Sequence, residues 1–379
     1  MSFRVLYVTH VANMGGANRS LFQLVSELKE KYKVTPFVLG PVDSSSNGIK
    51  SYMARIGVEY IGAPINFFKI DKPSIAQLFC YLRAVVGLVR RLKFLKSYHI
   101  DIIHTNTSII DIGAYLSRCL GCKHVWHFRE FGDLDYGLYP LGGVLYEKFT
   151  YKHADAIIAI SKVMARHFEN KVSSKKVHVV YNGVLAVPSK YVAQHTNQTV
   201  QFLCAGFISA GKNQKDIVNA VNILVNKFKI TKFHVTIVGR KAEPYGGDLL
   251  ADVKRFGLTT FISILPETDG IKEMAANMDV GIVPSKAEAF GRVTIEYQLQ
   301  NLLVVASDQG ANLELVQHGN TGLLYQISNS QELADLMRKI IEHDLPWEDI
   351  AGKGMIYAKA HYLSIYNTKA IFELYQSLF

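Results

Sequence analysis

The chain has 379 residues, of which 49% are hydrophobic and 20% charged, a composition that supports two packed domains and excludes a largely disordered chain. The formal net charge of +10 lies entirely in one half, since residues 1–189 carry +11 and residues 190–379 carry −1. A one-sided basic field predicts an anionic partner, such as nucleic acid, an acidic glycan or a phospholipid surface. No nucleic-acid motif accompanies it, so we expect no nucleic-acid partner.

The first residues, MSFRVLYVTH, are typical of a strand. They are not typical of a signal peptide, because they lack its long apolar core and cleavage site. No run reaches the ~18 uninterrupted apolar residues of a membrane span. The four cysteines include one isolated CxxC pair, Cys119 and Cys122, which favours ordinary thiols in a reducing compartment over a zinc ribbon and leaves a redox pair open. We therefore expect a cytoplasmic protein.

Short apolar runs alternate with helical patterns, which predicts repeated βα units and parallel sheets. The predicted strands cover residues 4–9, 35–39, 102–104, 124–128, 156–160, 177–181, 200–205, 234–238, 262–265, 280–283 and 303–306. The predicted helices of the second half cover residues 214–227, 248–256, 270–277, 294–300 and 331–342, with two more in 347–379. The pattern restarts near residue 200, after a polar segment at 187–199 that we take as the linker. The fold class is therefore α/β, with two doubly wound, Rossmann-like domains.

Residues 76–96, AQLFCYLRAVVGLVRRLKFLK, predict a helix that mixes apolar and basic side chains, with Arg90, Arg91, Lys93 and Lys96 at its end. A basic amphipathic helix can lie on an anionic bilayer. The alternative is a core helix with a solvated basic end.

The most informative stretch is residues 279–322. An apolar strand ends at Pro284, Glu288 follows in a polar loop, and Gly291 precedes a helix that carries Glu296. The start of a helix offers backbone N–H groups and a positive dipole end to an anion. The two glutamates are eight steps apart, roughly 12 Å at the helical rise, which suits the two ends of a nucleotide-sugar better than an acid/base pair. Two isolated glutamates on a surface helix would be solvated charge.

In this stretch E-A-F-G-x4-E, A-S-D-x-G and G-x-T-G-L-L resemble the donor-site signature of retaining glycosyltransferases of family 4. That family has the GT-B fold, so the resemblance implies two Rossmann-like domains that face each other across a cleft. We expect an acceptor domain at 1–187, a nucleotide-sugar domain at 188–360, and a C-terminal helix at 361–379 that crosses back to the first domain.

The resemblance also implies roles. Glu288 would bind hydroxyls of the donor sugar and Glu296 the ribose, while Lys212 would stabilise the departing diphosphate without a metal. The family often has arginine where this chain has Phe207, so another cation, Arg292 or Arg240, would have to help. The residues that we assign to the donor side are Gly16, Lys212, Leu265, Pro266, Glu288, Phe290, Gly291, Arg292 and Glu296.

In the first half, the resemblance places a glycine loop at Gly15 and Gly16 and a cleft-facing His127 near the donor sugar. A tight turn and a structural histidine are the alternatives. A Gly- and Tyr-rich stretch at 132–143 would be a flexible acceptor loop. The catalytic residues are thus Glu288, Lys212 and His127, and the predicted acceptor-binding residues are Asn18, Arg19, Arg129 and Glu130.

The expected activity is transfer of a sugar, with no cofactor or metal required, from a UDP-sugar in preference to a GDP-sugar. The expected acceptor is a lipid-linked saccharide of bacterial surface polysaccharide synthesis, reached by a monomer or dimer on the inner face of the membrane through its basic N-terminal domain. Two alternatives stay open. One is a GT-B-like nucleotide-sugar epimerase, against which the two glutamates of the E-A-F-G-x4-E motif argue. The other is a non-catalytic module that binds anionic glycan or membrane, which remains open because position 207 is phenylalanine instead of arginine.

Overall fold

The computed structural model describes residues 2–42, 46–72, 74–185, 199–268 and 270–379. The predicted linker at 187–199 and the predicted boundary at 187/188 fall almost wholly outside these ranges. The chain forms two compact units, one comprising Met1–Gly183 with Ser364–Phe379 and the other Val184–Leu363. Within the described ranges, no helix is both long enough and apolar enough to cross a membrane.

The first unit is built on a parallel sheet of seven strands. Its strands in chain order are β1 Arg4–Val8, β2 Thr35–Gly40, β3 Glu59–Gly62, β4 Lys69–Ile70, β5 Ile102–Thr105, β6 Lys123–Phe128, β7 Tyr139–Pro140, β8 Ala156–Ala159 and β9 Val177–Val179. The main sheet has the order β3-β2-β1-β5-β6-β8-β9, while β4 and β7 form a separate antiparallel pair.

Helices cover this sheet, as a parallel sheet requires. They are α1 Gly16–Tyr32, α2 Ile49–Arg55, α3 Ile75–Val89, α4 Leu92–Lys96, α5 Ile112–Leu120, α6 Asp133–Tyr136, α7 Gly143–Lys152 and α8 Lys162–Phe168. Alternate residues of β1 enter two different apolar clusters. Val5 packs in a cluster that includes Leu24 of α1, and Leu6 in one that includes Leu116 of α5. The sheet is therefore buried on both faces.

The second unit has a parallel sheet of six strands in the order β12-β11-β10-β13-β14-β15. The strands are β10 Val200–Ala205, β11 Phe233–Val238, β12 Ile262–Leu265, β13 Val280–Val283, β14 Leu303–Ser307 and β15 Leu323–Tyr325. The helices are α9 Lys215–Asn222, which continues as a π-helical turn at Ile223–Lys227, α10 Tyr245–Arg255, α11 Ile271–Ala275, α12 Arg292–Leu299, α13 Asn312–Leu315, α14 Ser330–Ile341 and α15 Trp347–His361.

The last helix, α16 Ser364–Gln376, belongs to the first unit. Ile371 and Tyr375 are fully buried in the cluster that also contains Val5. Asn367 donates to the carbonyl of Tyr181 at 2.6 Å. A buried apolar face and a backbone contact therefore fix the end of the chain to this sheet.

Every predicted strand is present, and the doubly wound, Rossmann-like prediction is confirmed in both units. Two differences bear on function. The helix predicted over 76–96 is two helices, α3 and α4, separated at Arg90 and Arg91. The stretch predicted as a flexible loop over 132–143 contains α6 and β7, and Asp135 orders it by accepting from the backbone N–H groups of Phe131 and Gly132 at 2.9 and 2.7 Å.

Candidate functional site

The winding of the second sheet reverses between β10 and β13. On one side of β10 lie β11 and then β12. The chain then returns to the other side of β10, where β13, β14 and β15 follow one another. At such a reversal the loops after the two central strands diverge, and ligands bind between them at the carboxyl ends. The loop after β10 contains Lys212, and the loop after β13 contains Glu288. Two predicted donor residues therefore come from the two loops that flank this position.

Lys212 and Glu288 form an ion pair, with Nζ 2.7 Å from Oε2. The lysine side chain is 38% exposed and the glutamate 13%, so the pair is partly open to solvent. The other carboxylate oxygen, Oε1, accepts from the backbone N–H of Gly291 at 3.2 Å. A backbone bond from Lys286 to Gly211 at 2.9 Å joins the same two loops. A cation, a carboxylate and the start of α12 are thus held together by the protein itself.

A third loop supports the backbone of Glu288. The N–H of Ala311 donates to the Glu288 carbonyl at 2.8 Å. Gly310 has φ +58°, and a Cβ added there would lie 2.4 Å from the same carbonyl oxygen. Only glycine fits both the left-handed backbone and the close approach. This contact explains the glycine of the A-S-D-x-G motif: it positions Glu288.

Helix α12 begins at Arg292, two residues before the predicted start. The distance between Glu288 and Glu296 was estimated from the rise of a helix, and that estimate holds only for the helical part of the segment, from Arg292 to Glu296. Arg292 Nε donates to Glu296 Oε1 at 2.8 Å. Phe290 is 3% exposed, and its ring packs edge-on against Tyr362 with centroids 6.4 Å apart. The Phe290 side chain therefore anchors the loop in the core of the unit.

Arg240 lies beside the position that lacks the expected arginine. Its guanidinium carbon is 5.2 Å from the ring centroid of Phe207, which is 42% exposed. The Arg240 carbonyl accepts from Ile208 N–H at 2.8 Å, which holds the loops after β10 and β11 side by side. Leu265 is the last residue of the edge strand β12 and Pro266 follows it, so β11 separates both from the strand that leads to Lys212.

The first sheet reverses in the same way between β1 and β5. The loop after β1 leads to Gly16, Asn18 and Arg19. Asn18 is buried, accepts from Thr9 Oγ1 at 2.7 Å, and donates to the carbonyls of Val11 and Asn13 at 2.9 and 2.7 Å. Its side chain therefore shapes the loop, whereas Gly16 and Arg19 are exposed.

Arg129 and Glu130, at the end of β6, contact the loop that follows β5. Arg129 Nε donates to Asn106 Oδ1 at 2.9 Å. Glu130 accepts from the backbone N–H of Ser108 at 2.7 Å and from the Thr107 hydroxyl. Burial raises the pKa of Glu130, and these hydrogen bonds oppose the shift. These loop residues were not predicted, although a polar Asn-Thr-Ser run directly follows a buried strand in the sequence.

His127 is the end of a buried chain of rings. Its Nδ1 lies 3.0 Å from Nε2 of His104, whose Nδ1 lies 2.6 Å from the hydroxyl of Tyr375 on α16. The Tyr375 hydroxyl donates to that of Tyr7 at 3.4 Å, so its oxygen can accept a hydrogen bond from Nδ1 of His104. His104 then accepts at Nε2 from Nδ1 of His127, and in this consistent assignment each histidine is protonated at Nδ1. Nε2 of His127 is then an acceptor, and no described residue bonds to it.

Burial, reinforced by the charge of Arg129, lowers the pKa of His127 well below its usual value. The imidazole is therefore neutral near pH 7, and its Nε2 is a hydrogen-bond acceptor. His127 was predicted to face a cleft, but the whole side chain, Nε2 included, is buried. His104 and Tyr375, which orient it, were not predicted, because they lie 23 and 248 residues away along the chain and only the fold brings them together.

Known protein families match both units. Residues 14–185 match the model for Glycosyltransferase Family 4, and residues 199–343 match the model for Glycosyl transferases group 1. An uncharacterized glycosyltransferase of Methanocaldococcus jannaschii is 22% identical over 272 residues, 70% of this chain and 72% of that protein. A lipopolysaccharide core biosynthesis mannosyltransferase of Rhizobium leguminosarum bv. viciae is 35% identical over 89 residues, 24% of this chain and 25% of that protein.

Among solved structures, the Anabaena protein Alr3699/HepE in complex with UDP superposes with a TM-score of 0.80 at 20% identity, over 99% of this chain and 100% of that one. This similarity concerns the fold. The two family models together span most of the described chain, one in each unit. The chain therefore belongs to the glycosyltransferases of the GT-B fold, with a family 4 domain followed by a group 1 domain.

Proposed function

We propose that the chain transfers a sugar from a nucleotide diphosphate sugar to an acceptor hydroxyl with retention of the anomeric configuration. The observation that carries this proposal is the Lys212–Glu288 ion pair, at 2.7 Å, beside the start of α12 and at the reversal of the second sheet. A diphosphate needs a cation and a helix N-terminus, and a sugar needs carboxylate acceptors for its hydroxyls. This position combines both.

In the proposed reaction Lys212 exchanges its bond to Glu288 for one to the donor diphosphate, and its charge stabilises the leaving group as negative charge builds there. Glu288 accepts from hydroxyls of the donor sugar, and Glu296 from the ribose. Arg240, stacked on Phe207, supplies the second cation. The dipole of α12 at Gly291 adds to the same field.

The bond between the anomeric carbon and the diphosphate oxygen breaks, and its electron pair leaves with the diphosphate. The acceptor oxygen bonds to the anomeric carbon on the same face, and its proton passes to the departing phosphate. No separate general base is assigned. On the first unit, Arg19 contacts the acceptor, and Asn18, Arg129 and Glu130 hold the acceptor-side loops in place.

Two relatives support a choice of substrates. The structure of the Anabaena protein contains UDP, which favours a UDP-sugar over a GDP-sugar. The Rhizobium relative acts in lipopolysaccharide core biosynthesis, which favours a lipid-linked saccharide acceptor in surface polysaccharide synthesis. The proposed location is the inner face of the cytoplasmic membrane, with peripheral attachment.

The test is turnover of UDP-sugars, with the anomeric configuration of the product read by NMR. We expect retention in the wild type. Lys212→Ala should lower kcat by about 10²- to 10³-fold with little change in donor affinity, since it removes charge stabilisation of the leaving group. Glu296→Ala should instead weaken donor binding, and Lys254→Ala, at an exposed lysine of α10, should change neither.

Three results would contradict the proposal. An inverted product would exclude the retaining mechanism. A changed donor sugar without transfer would indicate the epimerase. Donor binding with no turnover under any condition would indicate a binding module, the alternative that Phe207 leaves open.

A further inference from the structure

Helix α3 presents an apolar stripe to solvent. Ile75, Phe79, Leu82, Val86 and Val89 follow one another at intervals of four, three, four and three residues, which places them on one helix face. Each is between 49% and 76% exposed. The residues of α3 that are fully buried are Ala84 and Leu88, on a different face. The described residues therefore leave the larger apolar stripe of this helix uncovered.

Helix α7 continues this exposed surface. The hydroxyl of Tyr81 on α3 lies 3.0 Å from that of Tyr146 on α7, and both donate to the Asp111 carboxylate at 2.7 Å. These bonds hold the two helices side by side. Leu145 and Phe149 of α7 are 83% and 54% exposed. We call the exposed residues of both helices the α3–α7 surface, comprising Ile75, Leu78, Phe79, Leu82, Val86, Val89, Val144, Leu145 and Phe149.

The charge around this surface has one sign. Residues 72–100 contain six lysines and arginines and no aspartate or glutamate. Helix α7 adds the exposed Lys148 and Lys152. Its single carboxylate, Glu147, is buried between Lys69 at 2.8 Å and Lys171 at 3.1 Å. The surface is therefore apolar, bordered by cations and free of exposed carboxylates along these two helices.

We infer that the α3–α7 surface docks the protein on an anionic lipid bilayer. The apolar stripe enters the boundary between headgroups and acyl chains, and the cations at the end of α3 and in α4 meet the anionic headgroups. Charge decides between this occupant and a second copy of the chain. Pairing the surface with itself would bring cations against cations, with no carboxylates to neutralise them, whereas an anionic bilayer supplies both the apolar medium and the opposite charge.

This inference deepens the membrane attachment of the proposed function and names the surface responsible, but it does not depend on the donor site. The test is co-sedimentation of the full chain with vesicles of phosphatidylglycerol and phosphatidylcholine, and with vesicles of phosphatidylcholine alone. We expect binding to the anionic vesicles that weakens in high salt and weaker binding to the neutral ones.

Two pairs of variants test the two components. Phe79→Ser with Leu82→Ser should lower the partition coefficient at least about tenfold, because it removes apolar area from the bilayer boundary. Arg90→Gln with Lys93→Gln should lower it about twenty-five-fold on anionic vesicles only, since each cation near such a surface contributes about fivefold. The matched controls, Ile356→Ser with Ile365→Ser and Lys232→Gln with Lys254→Gln, should bind like the wild type.

Absence of vesicle binding by the wild type, or equal binding by test and control variants, would overturn the inference. So would a dimer in light scattering that the Phe79→Ser, Leu82→Ser pair disperses while vesicles remain unbound, because the occupant would then be a second copy. Stabilisation by UDP, measured on the same samples, separates the two proposals. If vesicles bind and UDP does not stabilise, the donor assignment fails and the docking surface stands.

Discussion

Arg240 is the side chain that we propose supplies the cation missing at Phe207. It is stacked on Phe207, at the loop that also carries Lys212. We predict that Arg240→Ala lowers kcat about tenfold to a hundredfold, because one of two cations at the leaving group is lost. Phe207→Arg in the same chain should restore most of the rate, as measured by steady-state kinetics with the donor.

Arg255 provides the matched control, since it lies over the ring of Phe256 at 4.6 Å but is the exposed last residue of α10, at the far end of that helix from the loop after β11. Arg255→Ala should leave kcat unchanged. An Arg240→Ala enzyme with wild-type turnover would remove Arg240 from the proposed site.

The contact that positions the backbone of Glu288 can be tested by substituting Gly310. Gly310→Ala introduces a Cβ that would lie 2.4 Å from the Glu288 carbonyl, at a residue whose φ is +58°. The loop must shift, so we predict at least a tenfold loss of affinity for the UDP-sugar in calorimetry, in line with about 1–3 kcal/mol for a displaced polar group. Gly319→Ala has the same kind of backbone strain at φ +74° but no atom within 4 Å of its Cβ, and it should bind the UDP-sugar normally. Equal affinity of the two variants would contradict the account.

At the scale of residues, the sequence was sufficient to predict which site residues lie together when each of them directly follows a recognisable strand. Lys212 and Glu288 each follow a clear strand, and parallel strands bring such loops together. The sequence was insufficient to predict the role of a polar side chain when that role depends on whether the side chain is buried or exposed. Nothing local distinguishes a buried Asn18, whose polar atoms all bond to its own loop, from an exposed Arg19.

Strands β5 and β6 carry three buried histidines, and these should make the first unit sensitive to acid. Burial lowers the pKa of His124 to about 3 and lowers those of His104 and His127 well below 6.5. The unfolded chain therefore takes up protons below pH ~6.5 that the folded chain does not, and stability falls as pH falls. At pH 5 the loss is roughly 2 kcal/mol per histidine, and above pH ~7 it vanishes.

The measurement is the urea midpoint of the first unit between pH 8 and pH 5, followed by the fluorescence of Trp126 in a Trp347→Phe variant. These are the two tryptophans of the chain. Replacing the exposed His361 by Gln should not alter the profile. Burial raises the pKa of Asp111 and Glu130, and their protonation stabilises the folded chain as pH falls, so the histidine contribution is read from the difference between the wild type and a His124→Gln variant. Profiles of equal slope down to pH 5 would show that His124 is not linked to folding.

Elements with long apolar runs were predictable, and elements defined by pairing were not. Strand β10, VQFLCA, is recognisable alone, whereas β4 and β7 have two residues each and exist because they pair with each other. Helix α3 was predicted as amphipathic. Its break at Arg90 and the outward direction of its apolar stripe required the structure, because the sequence does not say which face is covered.

At the scale of the whole molecule, the boundary between the basic and the nearly neutral part of the sequence lies close to the boundary between the two units. The basic excess of +11 lies in residues 1–189, which form most of the unit with the α3–α7 surface, while the unit with the Lys212–Glu288 pair lies in the part with net charge −1. Attachment and donor binding are thus assigned to different units. Each can be altered by substitution without changing the residues of the other.

The central claim is that the second unit binds a nucleotide diphosphate sugar at Lys212, Glu288 and Glu296. The most direct measurement is a thermal-shift panel of UDP, GDP, ADP and their common sugar conjugates against the purified chain. We predict that UDP and a UDP-sugar raise Tm, since a ligand at about a hundredfold excess over Kd stabilises the native state by about 2.7 kcal/mol, and that Glu296→Ala reduces the shift. No shift with any member of the panel at millimolar concentration, with the protein folded, would contradict the claim.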